Sequence, residues 1–265
     1  MLNPTQHQAA SDLLFTKWSE RACLDALPAS CRPQTREEGY AIQALVERRS
    51  AHPLFGWKIA ATSQAGQAHI GVSGPLAGRI LRERVVSPGA SVSLDGNQMK
   101  VAELEFAFVM GSDLTPRTEP YSVEEVLAAV ASLHPAIEIP DSRYTDFVHA
   151  GEAQLIADNA CAHEFMLGAA TKADWRTMDL KAHPVRGFRT RGGETYTRDG
   201  IGANVLGDPR VALTWLANEL SSINVPLKAG QAVTTGTCMV PMEVIQGDAV
   251  DGDYGPIGKI SIRFI

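Results

Sequence analysis

Cysteine is scarce in this 265-residue chain: Cys23, Cys31, Cys161 and Cys238 are the only four, with no CxxC pairing among them. They are too sparse for a disulfide framework, so a reducing compartment and four free thiols are expected. Long apolar runs are also missing. No stretch approaches the roughly 18 to 20 residues needed to span a bilayer. The opening MLNPTQHQAA has no basic residue followed by an apolar core, so it does not read as a secretory signal. Nor is there an excess of positive charge. The 24 basic residues stand against 30 acidic ones, a net charge of -6, which argues against a nucleic-acid partner. With 45% apolar and 20% charged residues, a disordered or fibrous chain is excluded as well. The expectation is a soluble, cytoplasmic globular protein with no membrane partner.

Several familiar chemical signatures are absent. Gly200, Gly202 and Gly207 have the wrong spacing for a dinucleotide loop. The stretch 255–261 lacks the GK[ST] ending of a phosphate loop, and neither HExxH nor GxSxG occurs. Asp248, Asp251 and Asp253 resemble a calcium loop but lack its downstream glutamate. A solvated hairpin turn before the last strand is the expectation there.

What is present is a helical start followed by short strands. Residues 5–27 place Ala10, Leu13, Leu14, Trp18 and Ala22 at helical spacing after Pro4. Thr35 and Glu38 read as a capping box opening a second helix over 35–49. From residue 54 the character changes: FGWKIA, segments around 79–94, and above all VAELEFAFVM at 101–110 read as strands. Ser122 and Glu125 form a capping box before Val126, Leu127, Val130 and Leu133, which predicts a helix. Asp208 and Pro209 open another, and KISIRFI alternates as a half-buried final strand. Helices and strands do not alternate regularly, so the expected fold class is α+β. One domain over 1–265 is expected, with a helical section at about 1–52 and a β-rich catalytic core at about 53–265.

Glu103 and Glu105 interrupt an otherwise apolar strand at positions i and i+2, and so share one sheet face. Burying two like charges costs several kcal/mol each unless a positive group compensates. Hard Mg²⁺ or Mn²⁺ prefers such oxygen ligands, and Glu138 in PAIEIP offers a third carboxylate. From spacing alone, an edge strand turning its glutamates to solvent reads equally well. Lys58 interrupts FGWKIAA; pointing inward it could move a proton, although an outward, snorkelling lysine is the commoner case. In VTTGT at 233–237 the glycine can present backbone N–H groups to an anion, and an ordinary turn explains the segment as well.

GWKIAATS at 56–63, AELEFAFV, AIEIPDSRY at 136–144, IADNACAHEFMLG at 156–168 and the terminal KISIRF follow one order. That order, from about residue 10 to the end, resembles the 2-keto-4-pentenoate hydratase group of the fumarylacetoacetate hydrolase superfamily. The resemblance implies a mixed β-roll core with an α-helical N-terminal section, homo-oligomers, and a Mg²⁺ or Mn²⁺ ion held by three glutamates. By position, Glu103, Glu105 and Glu138 match the metal ligands and Lys58 the active-site lysine. Gly236 and Thr237 fall where the substrate carboxylate binds, and Asp158 is placed with them as a substrate-binding residue. The chain departs from the family at Glu103-Leu104-Glu105, where many hydratases read Glu-Pro-Glu. It departs again at Ala160 and Cys161, where relatives commonly carry serine in this segment, with His163 close behind. Its loop GVSGPLAGR at 71–79 lacks an acidic residue that some hydratases have.

The expected activity is therefore a metal-dependent hydro-lyase adding water to a small 2-hydroxy-2,4-dienoate to give a 4-hydroxy-2-oxo acid, in aromatic-compound degradation. A 2-oxo-acid decarboxylase of the 4-oxalocrotonate type would use the same enolate stabilisation. An acylpyruvate-type C–C hydrolase would need a water-activating base, for which no early His-Glu pair is found. Association of the hydratase with a pathway decarboxylase is a further expectation, whereas a non-catalytic partner subunit of a pathway enzyme has no reason to keep buried like charges.

Overall fold

Two sheets carry the architecture, and the computed structural model describes all of it, residues Met1–Ile265. Helices α1 (Pro4–Glu20) and α2 (Arg36–Ala44) come first, then β1 (Gly56–Ala60) and the short α3 (Gln64–Ile70). Strands β2 (Leu76–Ile80), β3 (Val85–Val86), β4 (Ser91–Val92) and β5 (Val101–Met110) follow. After α4 (Val123–Ala128) come β6 (Val130–Ile139), α5 (Glu152–Ala157), β7 (Glu164–Leu167), β8 (Pro184–Arg191) and β9 (Glu194–Ile201). The chain ends with α6 (Pro209–Ser222), β10 (Ala232–Thr237), β11 (Met242–Glu243), β12 (Ala249–Asp253) and β13 (Lys259–Phe264). The larger sheet runs β2-β1-β10-β5-β6-β7-β3 with β11 also on β5, and the smaller runs β4-β13-β12-β8-β9. Parallel pairs (β1 with β10, β3 with β7, β4 with β13) sit among antiparallel ones, so the sheets are mixed, as expected of an α+β roll.

Strand periodicity decides which side of β5 is core. Ala102, Leu104, Phe106, Phe108 and Met110 enter the main apolar cluster, so Glu103, Glu105 and Ala107 take the opposite face. The smaller sheet closes over the apolar side where Gly187 of β8 and Gly252 of β12 stand opposite each other. A Cβ on either would lie 2.8 or 3.0 Å from a Leu104 methyl. The paired glycines therefore admit Leu104 and let the two sheets approach.

Several predicted boundaries move, each for a tertiary reason. Helix α1 ends at Glu20, with Arg21 in the left-handed conformation, well short of residue 27. The residues beyond are drawn off: Leu24 N–H donates to Arg143 O and Leu27 N–H to Gln154 Oε1. Thr35 caps α2 as predicted, but Glu38 accepts from Leu2 N–H (2.6 Å) and Gln34 N–H (2.8 Å) rather than closing the box. The largest change follows Ser122. Its capping box forms, yet α4 stops at Ala128, and Val130 and Leu133 belong to strand β6. Pairing of β6 with both β5 and β7 outweighs the local helical spacing. The turn predicted at Asp248–Asp253 is instead mostly β12. Asp248 is buried and paired to Arg191 at 2.8 Å, and the chain reverses at 254–258. Helix α6, capped by Asp208, and the alternating β13 form as predicted.

A candidate metal centre beside a buried lysine

On the face of the larger sheet away from the core, cross-strand register brings the acidic residues together. Glu103 lies directly opposite Glu138, and Glu105 opposite Ala136. One carboxylate oxygen from each of Glu103, Glu105 and Glu138 falls within 4.8 Å of the other two. Lys58 reaches the cluster from β1, with β10 between its strand and β5. Its Nζ lies 3.1 Å from Glu138 Oε1 and donates to Ala160 O at 2.9 Å. The lysine is buried and inward, not snorkelling.

Ala160 owes its position to an unusual turn. Asn159, Ala160 and Cys161 are all left-handed, with φ of 56, 50 and 59°, a conformation that costs a residue with a Cβ about 1 kcal/mol or more. Asn159 offsets that by docking its amide on β2: Oδ1 accepts from Arg79 N–H (2.7 Å) and Nδ2 donates to Arg79 O (2.8 Å). Gly78, opposite Lys58 in the sheet, is also required. A Cβ there would lie 2.5 Å from Asn159 O and 2.9 Å from Lys58 Cδ.

The donor set fits a divalent cation. Glu105 Oε2 accepts from Thr234 Oγ1 and from Gly236 N–H (2.7 Å), while Glu105 Oε1 and Glu138 Oε2 are buried without a hydrogen-bond partner. Two such orphans in one cluster are costly unless a positive charge satisfies them. Burial, with Glu138 and Glu103 beside it, pushes Glu105 well above the ordinary carboxylate range. Burial also raises Glu103, and lifts Glu138 to about 7 despite the attraction of Lys58. For Lys58 burial works against the charge, but Glu138 and Glu103 outweigh it and hold the ammonium above its usual value. An all-oxygen trio of this kind is hard-cation chemistry.

No protein-family model matches the chain. Among curated proteins, 2-keto-4-pentenoate hydratase 1 of Dechloromonas aromatica is 30% identical over 260 residues, covering 97% of this chain and 96% of its own length. A 2-hydroxyhexa-2,4-dienoate hydratase of Comamonas testosteroni is 32% identical over 235 residues, 87% of this chain and 86% of that protein. The chain belongs to the 2-keto-4-pentenoate hydratase family. It is accordingly a lyase, and its fold is that of the fumarylacetoacetate hydrolase superfamily. A solved 4-oxalocrotonate decarboxylase from Pseudomonas putida G7, complexed with magnesium and adipate, superposes with a TM-score of 0.88 at 26% identity. That match covers 100% of this chain and 99% of the other.

Other residues expected at the site of this hydratase-family chain sit differently. Gly236 is left-handed (φ 96°), as an anion-binding backbone requires, but its N–H is spent on Glu105. Thr237 lies opposite Glu105 and donates its hydroxyl to Met239 O (2.7 Å). The anion this bulge cradles is thus a carboxylate of the protein itself. Asp158 is buried and bound within the protein: it accepts from Ser142 Oγ (2.7 Å) and Arg143 N–H (3.0 Å) and pairs with the Arg143 guanidinium. Burial and the Asp158 charge push the Cys161 thiol up to about 12, so it is no thiolate. Burial, with Arg84 and Arg143 nearby, brings His163 down to about 3, and its imidazole stays neutral. Sequence reasoning missed Thr234, Gly78 and Asn159. Only Asn159 carried a signal, as a residue type that tolerates the left-handed region.

Proposed function

We propose that the protein is a Mg²⁺- or Mn²⁺-dependent hydro-lyase that adds water to a 2-hydroxy-2,4-dienoate, giving a 4-hydroxy-2-oxo acid. The observation that carries this reading is the three-glutamate cluster with its two unpartnered oxygens, 3.1 Å from a buried lysine. Glu103, Glu105 and Glu138 hold the cation. When bound, such an ion supplies Lewis-acid polarisation of the substrate's carboxylate and 2-oxygen. Thr234 and Gly236 hold Glu105 Oε2, so that Oε1 faces the site. Lys58 holds a proton at Nζ, steadied by Ala160 O, and passes it to or from the dienoate carbon. The buried walls keep bulk water from competing for that proton.

A second reading, decarboxylation of a 2-oxo acid, is favoured by one specific observation. The structural match at a TM-score of 0.88 is to a decarboxylase. Release of CO₂ needs the same polarised 2-oxygen and the same proton on carbon. Purified protein with Mg²⁺ is to be offered 2-hydroxydienoates and 2-oxo-enedioates, with products read by mass spectrometry. Gain of one water supports the hydratase, loss of CO₂ the second reading, and no turnover of either class refutes both.

A further inference from the structure

The smaller sheet ends in an unprotected edge. Strand β9 pairs with β8 over eight consecutive residues without a bulge, and Glu194, Thr195, Tyr196 and Thr197 are exposed, Tyr196 at 45%. The chain's other sheet edges are managed. Strands β3 and β4 are two residues each, and β2 is capped by the Asn159 amide on Arg79. Natural edges are blunted by brevity, proline, charged side chains, bulges or a covering element; the stretch 194–199 has only the charges, and Glu194 and Arg198 among them are opposite in sign.

The polarity of the edge follows from one bond. Ile201 N–H points away from β8 to Cys238 O (3.0 Å), and its opposite number, Pro184, has no N–H to offer. Antiparallel hydrogen bonding alternates every second residue. Thr195, Thr197 and Asp199 therefore also turn their N–H and C=O groups outward, while Tyr196 and Arg198 bond β8.

We propose that β9 pairs antiparallel with β9 of a second copy of this chain, about a two-fold axis beside Tyr196. The sequence Glu194-Thr195-Tyr196-Thr197-Arg198 is complementary to its own reverse. In that register Thr195 faces the partner's Thr197, exchanging both main-chain bonds, and the symmetry repeats the exchange. Glu194 faces the partner's Arg198, again twice. Tyr196 meets the partner's Tyr196 as a non-hydrogen-bonded pair, where side chains come closest and aromatic pairs are favourable. Arg189 and Arg198 already lie over the Tyr196 ring at 5.3 and 5.2 Å, so the arriving glutamate enters a positive setting. Shifting the register by two residues sets Glu194 against Tyr196 or Gly200 and loses both ion pairs.

The test is charge exchange read by sedimentation velocity on the full-length protein. E194R or R198E alone places like charges opposite each other twice, and the dimer dissociation constant should rise at least about tenfold. The double variant E194R/R198E restores opposite signs and should return it close to wild type. Arg198 also donates to Val240 O and Pro241 O, so E194R is the variant that leaves the fold untouched. As an independent readout, Y196C should form a covalent dimer on mild oxidation, since residues facing each other across such an axis are within disulfide reach. A monomeric wild type, single reversals without effect, a double variant as weak as the singles, or a Y196C that fails to cross-link would overturn the proposal.

Discussion

Replacing Lys58 by methionine keeps most of the buried volume and removes one charge from a site that depends on it. At 3.1 Å from Glu138, the attraction in an effective dielectric near 20 is about 5 kcal/mol. The full amount is not lost, because Glu138, already lifted to about 7, can take up a proton instead. Removing the ammonium raises it further. A carboxyl with a raised folded-state pKa binds more protons folded than unfolded, so its contribution to stability is present at low pH and is lost as pH rises through the folded value. With wild-type Glu138 at about 7, the metal-free Lys58→Met protein should therefore match wild type near pH 5 and fall behind by about 1 kcal/mol at pH 8, since one extra proton held over the unit above 7 is worth about 1.4 kcal/mol at most. For a chain of this size that is a Tm deficit of roughly 2 to 4 °C. Saturating Mg²⁺ should recover much of it, since a cation replaces the missing charge. Turnover should not recover: losing the proton carrier should cost about 10² to 10⁴-fold in kcat. Calorimetric melts at pH 5 and 8, with and without Mg²⁺, and steady-state assays test both halves. A variant with wild-type Tm at pH 8 and wild-type kcat would refute the assignment of Lys58.

Glu105→Gln should weaken Mn²⁺ binding in calorimetric titration while the metal-free fold holds or gains stability, because repulsion is relieved; unchanged affinity would mean Glu105 is not a ligand. Thr234→Val removes the hydroxyl that fixes Glu105 Oε2 and should lower metal affinity about 10-fold or more, as loss of a group orienting a ligand commonly does; wild-type affinity would show that Gly236 N–H alone suffices. Asn159→Ala removes both bonds to Arg79 and the residue best suited to the left-handed turn. It should cut kcat by displacing Ala160 O from Lys58 while leaving Mn²⁺ affinity within about threefold, and equal losses in both would instead point to general unfolding of the site.

What could be read from the sequence follows from which interactions are local. The shared face of Glu103 and Glu105 is a property of one strand, so a period of two places both without any partner. Glu138 is different. Only the β5–β6 register sets it opposite Glu103, and no single strand carries that information. The overlong helix after Ser122 shows the same limit: Val130 and Leu133, three apart, continue the helical stripe from Val126, and they reach one face of β6 only through the register shift between the Val109 and Met110 pairings that β5 imposes. At Gly236 the backbone shape was legible and its anion was not, because a nest for a substrate carboxylate and a nest for Glu105 look alike in sequence. Lys58 was visible as a charge out of place, yet beside Glu138 it is held by Ala160 O, a main-chain atom that any residue type supplies. The burden of specifying that carbonyl falls on its neighbours: Asn159, which can enter the left-handed region and bond β2, and Gly78, which leaves room for the lysine beneath it. Departures from the family at Ala160 and Cys161 are thus tolerable at this turn, since the position contributes its backbone to Lys58 while Asn159 secures the shape.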